Sequence, residues 1–570
     1  MLGVVLRLYM IEDQILLDDE WHALNLIINK PFMHVLTSYG YTGTNCPPLH
    51  IYSWLLLKTI GLSEMWLKFP ALAAGMGSLV IFPLLLRRIV GRRLAILFSF
   101  LFAISPYLIF YSRVSRGYSE VALLCFFALL SLYVWVIEGT RRWAVLYIMA
   151  GALAISFHLW AIIPVLTPLG CVVCVILVRG LTHFSIGRIR IVPSIAAVAW
   201  VGIGVLLVAA LLVVLILARA GPPEREGCRV TWDSFLRFTC LLSGTHRPPL
   251  AVLFWALLII GQAVLVRRNT LFGFMSLCSL VLLYLPLTIA RWPGISAPIV
   301  LARYIIAVFP LSFICVAAGL DSIADRISGI MGCRSGDGKG LIGNLVAALF
   351  ISALLFSGPL MRIYTSPNNF TNHSAFQESY KPITWVQSYN SDIVPGYFVV
   401  KKTEIPSFYL WLGQQTNVCT IIEYPMSVCD HENLYYYFQH FHRKYVVAGF
   451  IGARDLVRYT VMRGITQSGL LCPAQPWYFD YVLSKASDER RLKFRNMIDV
   501  MNIELLKKSR ASFIVLHKDI REYKDAYGSG EGMLMAYQPV LSLSYIYKRH
   551  FGLPVFEDNS IVVFRIAHKY

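Results

Sequence analysis

The feature that most constrains this chain is a series of apolar segments, each close to the length needed to cross a bilayer. A helix needs about 20 residues to span the hydrocarbon core. Ten candidate spans follow one another, at 70–86, 94–110, 120–137, 144–160, 162–178, 194–218, 251–266, 271–289, 302–320 and 341–358. Only 15% of the residues are charged, whereas a soluble domain carries about 25%. The sequence therefore predicts a polytopic α-helical membrane domain.

The basic residues indicate the orientation of these spans. The net charge is +19, and the positive clusters fall in alternate loops. They are Arg87, Arg88, Arg92 and Arg93; Arg141 and Arg142; Arg179, Arg188 and Arg190; Arg267 and Arg268; and Arg326, Arg334 and Lys339. Because basic loops stay on the cytoplasmic side, loops 10–69, 111–119, 219–250 and 290–301 and everything after 358 are predicted to lie outside. Orientation explains the scattered charge, and nucleic-acid binding does not.

The N-terminal segment is apolar but short. Residues 1–9 cannot cross a bilayer alone, and they lack the basic region and cleavage site of a signal peptide. We interpret them as the outer half of a first span whose beginning is missing. The prediction is thus about eleven spans, with the first truncated.

The composition changes from about Met361, where charged, Asn and Tyr residues become more frequent. Short β-like runs at 396–400, 446–450, 511–516 and 560–564 alternate with helix-like segments at 381–390 and 485–508. This pattern is typical of an α/β domain. We predict a transmembrane domain over 1–360 and a soluble extracytoplasmic α/β domain over 361–570.

The twelve cysteines do not form a metal or redox motif. Cys171 and Cys174 have CxxC spacing, but they lie in an uninterrupted apolar run without His or acidic neighbours, which favours simple packing. Cys419, Cys429 and Cys472 leave room for one disulfide whose pairing stays open.

Three consecutive acidic residues, Asp18, Asp19 and Glu20, follow the first apolar run. Carboxylates are costly in hydrocarbon, so they belong in a surface loop or a wet cavity. An isolated acidic triplet is usually an ordinary polar loop. Its predicted position on the same face as several arginines indicates a functional role.

Outward loops should be poor in arginine, yet Arg113, Arg116, Arg291 and Arg303 all fall at outer ends of predicted spans. A single arginine there often snorkels to the interface. Four on one face suggest an anionic partner, and the planar guanidinium suits phosphate. His158 lies near the same face, where packing and function are equally good explanations.

A carboxylate cluster, arginines and a histidine above an apolar body suit a reaction between a lipid-tethered phosphate compound and a second substrate. A carboxylate could accept the proton of an attacking hydroxyl as general base. The arginines, with or without a divalent metal, could stabilise the charge that grows on a departing phosphate.

Four motifs in order carry a resemblance to a known superfamily. They are Leu6-Arg7-Leu8-Tyr9 with Leu17-Asp18-Asp19-Glu20; Pro47-Pro48-Leu49; Ser112-Arg113 to Tyr118-Ser119; and Ala302-Arg303-Tyr304 to Pro310. Over about 1–360 the chain resembles GT-C glycosyltransferases, and most of all the bacterial relatives of protein O-mannosyltransferases and of the lipid A aminoarabinose transferase.

The resemblance implies an integral-membrane enzyme of the bacterial cytoplasmic membrane, with its active site outside. It would transfer a sugar from a polyprenyl phosphate, usually with inversion, to an acceptor glycan, lipid or protein. In the family the Asp of the first-loop Asp-Glu pair is the base, which maps here onto Asp19 with Glu20. The resemblance assigns the lipid-phosphate or donor site to Arg113, Arg116, Tyr118, Arg303, Tyr304 and His158.

One departure concerns the position before Pro47-Pro48. The family often has His there, or Lys preceded by Glu, whereas this chain has Asn45-Cys46. A metal site that depends on that position is therefore not implied, and metal dependence stays open.

Two other functions compete with the enzyme. A lipid or sugar transporter would have ionisable residues near the middle of the bilayer and broken helices in paired halves. The polar residues here gather at the outer ends instead. The truncated first span and Cys46 also fit a non-catalytic scaffold of the same fold.

Overall fold

The structure is a computed structural model of the full chain. It describes residues 1–9, 11–12, 16, 20, 23–24, 27, 30–37, 46–61, 63–182, 192–217, 229–245, 247–289, 298–331, 336–358, 360–361, 405–416, 420–424, 438–439, 441–446, 503, 507, 511–518 and 540–566. The chain divides into two compact units. The first is Met1–Ile11, Leu26–Thr365 and Phe376–Gln387, and the second is Glu12–Asn25, Ser366–Ala375 and Ser388–Tyr570.

The first unit is helical throughout its described part. Its helices are α1 (Leu2–Leu8), α2 (Phe32–Thr37), α3 (Pro47–Thr59), α4 (Glu64–Val90), α5 (Arg92–Ala103), α6 (Pro106–Tyr111), α7 (Tyr118–Glu138), α8 (Arg141–Phe157), α9 (Ile162–Thr182), α10 (Ile195–Leu217), α11 (Trp232–Ser243), α12 (Pro248–Arg268), α13 (Thr270–Ile289), α14 (Pro298–Ile305), α15 (Phe309–Ile330) and α16 (Gly336–Ser357). Short 3-10 turns at Leu159–Ala161 and Ile306–Val308 join α8 to α9 and α14 to α15.

Five stretches are long and apolar enough to cross a membrane: Glu64–Val90, Tyr118–Glu138, Leu159–Val178, Pro248–Arg268 and Val300–Ile330. Shorter apolar helices occur at Ile195–Val208, Thr270–Leu285 and Leu341–Ser357. The prediction of a mainly helical membrane protein is confirmed in this form. The count of about eleven spans stays a prediction.

Two predicted spans are interrupted. The segment 94–110 consists of α5 and α6, separated at Ile104 and Ser105, and Pro106 begins the second helix. The segment 302–320 contains the end of α14, a 3-10 turn and then α15, with Pro310 in its first turn. Proline cannot donate the backbone hydrogen bond that would continue a helix through it. Both breaks coincide with a proline, although Pro70 and Pro83 lie inside the unbroken helix α4.

Helices α12 and α15 approach each other through glycines. A Cβ added to Gly261 would overlap the Cys315 carbonyl, and one added to Gly319 would overlap the Leu257 carbonyl. Gln262 next to this contact donates to the Gly273 carbonyl at 2.7 Å and accepts from Ser276 Oγ at 3.2 Å. Small residues let helix backbones meet in a membrane, where interhelical hydrogen bonds add to the packing.

Two of the predicted cytoplasmic clusters meet around one aspartate. Asp321 on α15 lies 3.0 Å from Arg93 Nε and 2.7 Å from Arg268 Nη1. Asp325, one turn further along, lies 3.5 Å and 3.6 Å from the same two guanidinium groups. The ends of α5, α12 and α15 are thus joined at one place, in agreement with the predicted placement of both clusters on one side.

The second unit contains a five-stranded mixed sheet of order β2-β1-β3-β5-β4. The strands are β1 (Thr420–Tyr424), β2 (Tyr445–Val446), β3 (Phe513–His517), β4 (Phe556–Glu557) and β5 (Ile561–Arg565), with helices α17 (Ser407–Gln414) and α18 (Val540–Phe551). Strand β1 pairs in parallel with β2 and β3, and β5 pairs antiparallel with β3 and β4.

Hydrophobic residues cover both faces of this sheet. Tyr409 and Leu412 of α17 pack on one face with Val515, and Leu543 and Tyr547 of α18 pack on the other with Ile514. The alternation of side chains along each strand sends successive residues to opposite cores. Strands buried on both faces read as continuous apolar runs, which is why β3 and β5 could be found from sequence.

The predicted β-runs have different outcomes. The runs 511–516 and 560–564 correspond to β3 and β5, and 446–450 begins in β2 with its remainder outside the described residues. The run 396–400 and the helix-like segment 381–390 also lie outside them, as does nearly all of 485–508. Strands β1 and β4 and helices α17 and α18 were not predicted. That this region is soluble, extracytoplasmic and bounded at 361 stays a prediction.

Candidate functional site

The turn between α6 and α7 carries three of the predicted site residues. Arg113, Arg116 and Tyr118 are all buried, with 1%, 9% and 9% of their surface exposed. Pro106 starts α6 and α7 resumes at Tyr118, so the chain reverses within residues 112–117. The break in the predicted span 94–110 therefore creates a short polar turn at the end of two apolar helices.

Arg113 ties this turn to the N-terminal helix. Its Nη1 donates to the carbonyls of Arg7 at 2.8 Å and Tyr9 at 2.6 Å. The last carbonyls of a helix lack intrahelical partners and attract cations. This contact gives Arg113 a structural role at the end of α1.

Arg303 on α14 lies among tyrosines of the same turn. Its Nε donates to Tyr111 Oη at 2.6 Å. The guanidinium carbon is 5.9 Å from the ring centroid of Tyr111 and 5.8 Å from that of Tyr118. A cation over aromatic faces is stabilised by the ring quadrupole, so Arg303 is held in one orientation by residues far away in the chain.

His158 and Tyr304 extend this cluster. The ring of His158 is 6.0 Å from that of Tyr118 and 5.6 Å from that of Tyr304. His158 follows the last residue of α8 in extended backbone, and its Nδ1 accepts from Trp160 N at 3.3 Å. The structure thus brings Tyr118, His158, Arg303 and Tyr304 together and adds Tyr111, which was not among the predicted site residues. These five residues are called the arginine–aromatic cluster below.

Arg116 faces the start of α3. A Cβ on the neighbouring Gly117 would come within 2.8 Å of Cys46 Sγ, so the turn packs directly on that helix N-terminus. Burial, and next the positive charge of Arg116, lower the pKa of His50 to about 4. Burial, and next the negative charge of Glu120, raise the pKa of Cys46 to about 12. Cys46 is therefore a neutral thiol in this environment.

Glu120 is a functional candidate that sequence reasoning missed. It stands in the first turn of α7 with 5% of its surface exposed, and both carboxylate oxygens lack a hydrogen-bond partner within the described part of the chain. His50 Nε2 lacks one in the same part. A buried carboxylate without hydrogen bonds is costly, and such groups concentrate at functional sites. The available signal was an acidic residue at the start of an apolar span.

Of the predicted catalytic residues Asp19 and Glu20, the structure describes only Glu20. Asp18 and Asp19 lie outside the described residues, as does Arg291. Glu20 is described, is 1% exposed, and belongs to the second compact unit, which also contains the C-terminal sheet. The assignments of Asp19 and Glu20 therefore stay predictions. Among the described residues, no three His, Cys, Asp or Glu side chains are grouped as metal ligands.

A second polar cluster lies in the α/β unit, at the carboxyl ends of the parallel strands β1 and β3. Tyr409 Oη donates to both oxygens of Glu423 at 3.1 and 2.9 Å, and His517 Nε2 lies 2.9 Å from Glu423 Oε2. The three side chains are at most 2% exposed. Glu423 thus has its acceptors satisfied, in contrast to Glu120.

His442 borders this second cluster and stacks on Tyr409 at a ring distance of 5.5 Å. Its Nδ1 accepts from Lys444 N at 3.0 Å. Burial, and next the charge of Lys444, lower the pKa of His442 to about 3. The ring is therefore neutral, with its proton on Nε2.

Several solved structures resemble the chain. The apo crystal structure of ArnT from Cupriavidus metallidurans matches with a TM-score of 0.51 and 13% identity, over 99% of this chain and 96% of that one. ArnT from the same organism bound to undecaprenyl phosphate matches with a TM-score of 0.47, 13% identity and the same coverage. The archaeal oligosaccharyltransferase AglB from Archaeoglobus fulgidus, in complex with an inhibitory peptide and a dolichol-phosphate, gives 0.43 at 12% identity, over 90% of this chain and 69% of that one.

No family model matches the chain, and no curated protein sequence does. The likeness to apo ArnT shows the fold: this chain has a GT-C fold, and the resemblance that the four motifs indicated is confirmed at that level.

Proposed function

We propose that the chain is a membrane glycosyltransferase that moves a sugar from a polyprenyl phosphate to an acceptor glycan, lipid or protein, with inversion. The observation that carries the proposal is the arginine–aromatic cluster, in which Arg303 and Tyr304 of α14 meet Tyr111, Tyr118 and His158. This cluster lies at the ends of helices apolar enough to contact lipid. The GT-C fold supports the same reaction class.

The donor phosphate is expected to bind Arg303 and Arg116. A guanidinium offers five N–H donors in a planar fork that fits phosphate oxygens. The bond from Arg303 Nε to Tyr111 fixes the plane of that fork before the donor arrives. Tyr304 and His158 line the same cluster and would contact the sugar or the phosphate. The polyprenyl chain would lie along the apolar helix surfaces.

The reaction is a single displacement at the anomeric carbon. An acceptor oxygen attacks, the bond from the anomeric carbon to the phosphate oxygen breaks, and its electron pair goes to the departing polyprenyl phosphate. Asp19 takes the proton of the acceptor as general base, with Glu20 beside it. The phosphate gains one negative charge, which the arginines stabilise. Attack from the side opposite the phosphate inverts the anomeric configuration.

A thiol at the start of α3 is not the kind of ligand that a hard divalent cation such as Mg²⁺ prefers. Cys46 is a neutral buried thiol there, and His50 is the single nearby imidazole on that helix. No step is therefore assigned to a metal.

The proposal also concerns the number of membrane spans and the side of the membrane on which each part of the chain lies. We expect about eleven spans in a bacterial cytoplasmic membrane, with the arginine–aromatic cluster and the C-terminal α/β unit on the extracytoplasmic side. The first-loop residues Glu12–Asn25 share one compact unit with the C-terminal region. A role for that region in acceptor choice is consistent with this association.

The test uses purified chain in lipid nanodiscs with a panel of polyprenyl-phosphate sugars and an envelope extract as acceptor. Release of polyprenyl phosphate is followed over time. One donor should give release that falls by about 10²- to 10⁴-fold in Asp19→Asn, which is the usual contribution of a general base. Asp18→Asn is the matched control, because it removes the same charge one residue earlier and should retain activity.

Two outcomes would contradict the proposal. Absence of release with every donor from a folded protein would favour the scaffold. Donor movement across the bilayer without cleavage would favour the transporter. Equal activity in Asp19→Asn and wild type would reject the base assignment while leaving the transferase intact.

A further inference from the structure

The turn that joins α18 to β4 exposes apolar side chains. Leu553 is 82% exposed and Val555 is 52% exposed, on either side of Pro554. We call Gly552–Val555 the apolar tip. Single exposed apolar residues are ordinary on protein surfaces. Two in one rigid turn beside basic residues are more informative.

The apolar tip is held rigidly at both ends. Gly552 has a φ of +87° and its N donates to the Lys548 carbonyl at 3.1 Å, which closes α18 with a left-handed residue that only glycine adopts easily. Val555 N donates to the Val563 carbonyl at 2.8 Å. The tip therefore presents Leu553 outward by backbone geometry and not through disorder.

The residues flanking the tip are packed into the two cores. Phe551 before it lies 5.5 Å from the ring of Tyr547, and Phe556 after it lies 5.8 Å from the ring of Phe408. Phe551 and Phe556 are thus packed against the two cores, whereas Leu553 and Val555 between them remain exposed to solvent. Folding of the unit does not require these two side chains to be apolar.

The charges around the tip are predominantly positive. Lys548 and Arg549 in the last turn of α18 are exposed. The nearby Glu557 is paired with Lys518 at 2.9 Å, and the Asp558 carboxylate accepts from Ser560 N at 2.8 Å. Hydrogen bonding to Lys518, and more weakly the charge of Lys548, lower the pKa of Glu557, which places Lys548 close to the tip. Among the described residues, Glu557 and Asp558 are engaged by Lys518 and Ser560, and Lys548 and Arg549 are exposed.

A half-exposed tryptophan belongs to the same part of the unit. Trp411 on α17 is 47% exposed, and its ring lies 5.7 Å from that of Phe408, which also contacts Phe556. The preceding Leu410 is 46% exposed. Tryptophan is enriched where proteins meet the headgroup region of a bilayer.

We propose that the apolar tip docks the C-terminal α/β unit on the surface of the bilayer that holds the chain's own helices. Leu553 and Val555 enter the boundary between headgroups and acyl chains, and Lys548 and Arg549 lie against anionic lipid headgroups. This pattern of an apolar insertion flanked by basic residues is that of interfacial membrane anchors. It concerns a surface that the proposed glycosyl transfer does not use.

The bilayer is the favoured occupant because the chain is covalently tethered to it. The helices of the first unit keep a lipid surface permanently within reach, so that even a weak contact is populated through a high local concentration. The positive charge of the tip complements anionic lipids, whose surface potential attracts nearby Lys and Arg.

The experiment places a photoreactive amino acid at position 553 of the full chain in nanodiscs made with or without phosphatidylglycerol. The matched control is position 545, because Tyr545 is 73% exposed on α18 and lies two turns before the tip. Crosslinking to a labelled lipid is measured for both positions. The variants Lys548→Gln and Arg549→Gln are tested in the 553 background.

Lipid adducts should form at 553 and be scarce at 545. They should increase with phosphatidylglycerol and fall by about fivefold for each basic residue removed, the usual contribution of one basic residue at an anionic surface. Equal lipid labelling at 553 and 545 would overturn the proposal. So would adducts at 553 to protein, either a second copy or another part of this chain, in place of lipid.

Discussion

Two buried glutamates, one in each compact unit, have opposite environments. Glu423 in the α/β unit receives hydrogen bonds from Tyr409 at both oxygens and contacts His517 at 2.9 Å. Glu120 in the helical unit is almost as buried, yet neither oxygen has a hydrogen-bond partner among the residues that the structure describes. A fold gains stability from a satisfied polar network and loses it on an unsatisfied group. The two glutamates are therefore alike in burial and differ in hydrogen-bond satisfaction.

The two histidines differ less than the two glutamates do. His442 Nδ1 accepts from Lys444 N, but its Nε2 lacks a partner within the described ranges, as does Nε2 of His50. The contrast between the two regions therefore rests on Glu423 and Glu120. We expect substitutions in the first region to affect folding and those in the second to affect activity.

The largest effect is expected for Glu423→Ala. Removing one member of a buried charged network leaves the others unpaired and costs about 4 kcal/mol of unfolding free energy. Hydrogen exchange of the β1 and β3 amides measures it. Glu557→Ala is the control, since its exposed ion pair with Lys518 contributes little. A stable Glu423→Ala variant would show that satisfied networks are dispensable here and would break the comparison.

Glu120→Gln is expected to lower activity and to leave stability unchanged, the opposite of Glu423→Ala. Donor-dependent release of polyprenyl phosphate should fall by about 100-fold, which corresponds to roughly 2.7 kcal/mol of transition-state stabilisation. The unfolding temperature should stay unchanged or rise, because a buried unsatisfied carboxylate is replaced by a neutral amide. Glu138→Gln at the other, exposed end of α7 is the control. Loss of folding in Glu120→Gln with activity per folded molecule retained would make Glu120 structural.

Arg303→Ala should weaken binding of a polyprenyl-phosphate donor by about 2 kcal/mol, the usual contribution of a hydrogen bond to a charged group. Calorimetry or fluorescence titration with the donor measures the affinity. Arg303→Lys keeps the charge but not the fork, so it should recover part of the loss. Unchanged affinity in Arg303→Ala would remove the arginine–aromatic cluster from the donor site.

The smallest expected effect is a loss of folding stability at low pH, through protonation of His442 in the unfolded chain. The pKa of His442 lies at about 3 in the folded unit, below the ordinary value of 6.5. The unfolded chain therefore binds a proton first, so the contribution to stability is complete above about pH 6.5 and is lost as the pH falls toward 3. At pH 5.5 the loss should be about 1.4 kcal/mol relative to pH 7 and above.

The variant His442→Phe tests whether His442 causes the loss of stability as the pH falls. Its stability should change less than that of the wild type between pH 7 and 5.5, as measured by exchange of the β1 amides. A parallel pH profile for wild type and variant would assign the acid sensitivity to groups other than His442.

Several residues of the arginine–aromatic cluster carry local signals in the sequence. The short polar run from Tyr111 to Glu120 and the Arg303-Tyr304 pair both interrupt apolar segments, and both belong to the cluster that the structure brings together. The interruptions of the helices at Pro106 and Pro310 were present in the sequence and were missed, because apolar length was weighed above proline. Glu120 directly follows the motif that ends at Ser119 and was not predicted as a site residue, because its burial depends on the packing of other helices.

Composition along the chain determined that this protein enters a membrane as helices and that strands follow near its C-terminus. Hydrophobicity is summed over neighbouring residues, so a single sequence contains it. The tertiary structure alone decided that Arg303 meets Tyr111, that Gly117 packs on Cys46, and that Tyr409, Glu423 and His517 form one network. Partners of this kind are 14 to 192 residues apart. Their meeting depends on the order and rotation of packed helices and strands, which no local property of the sequence fixes.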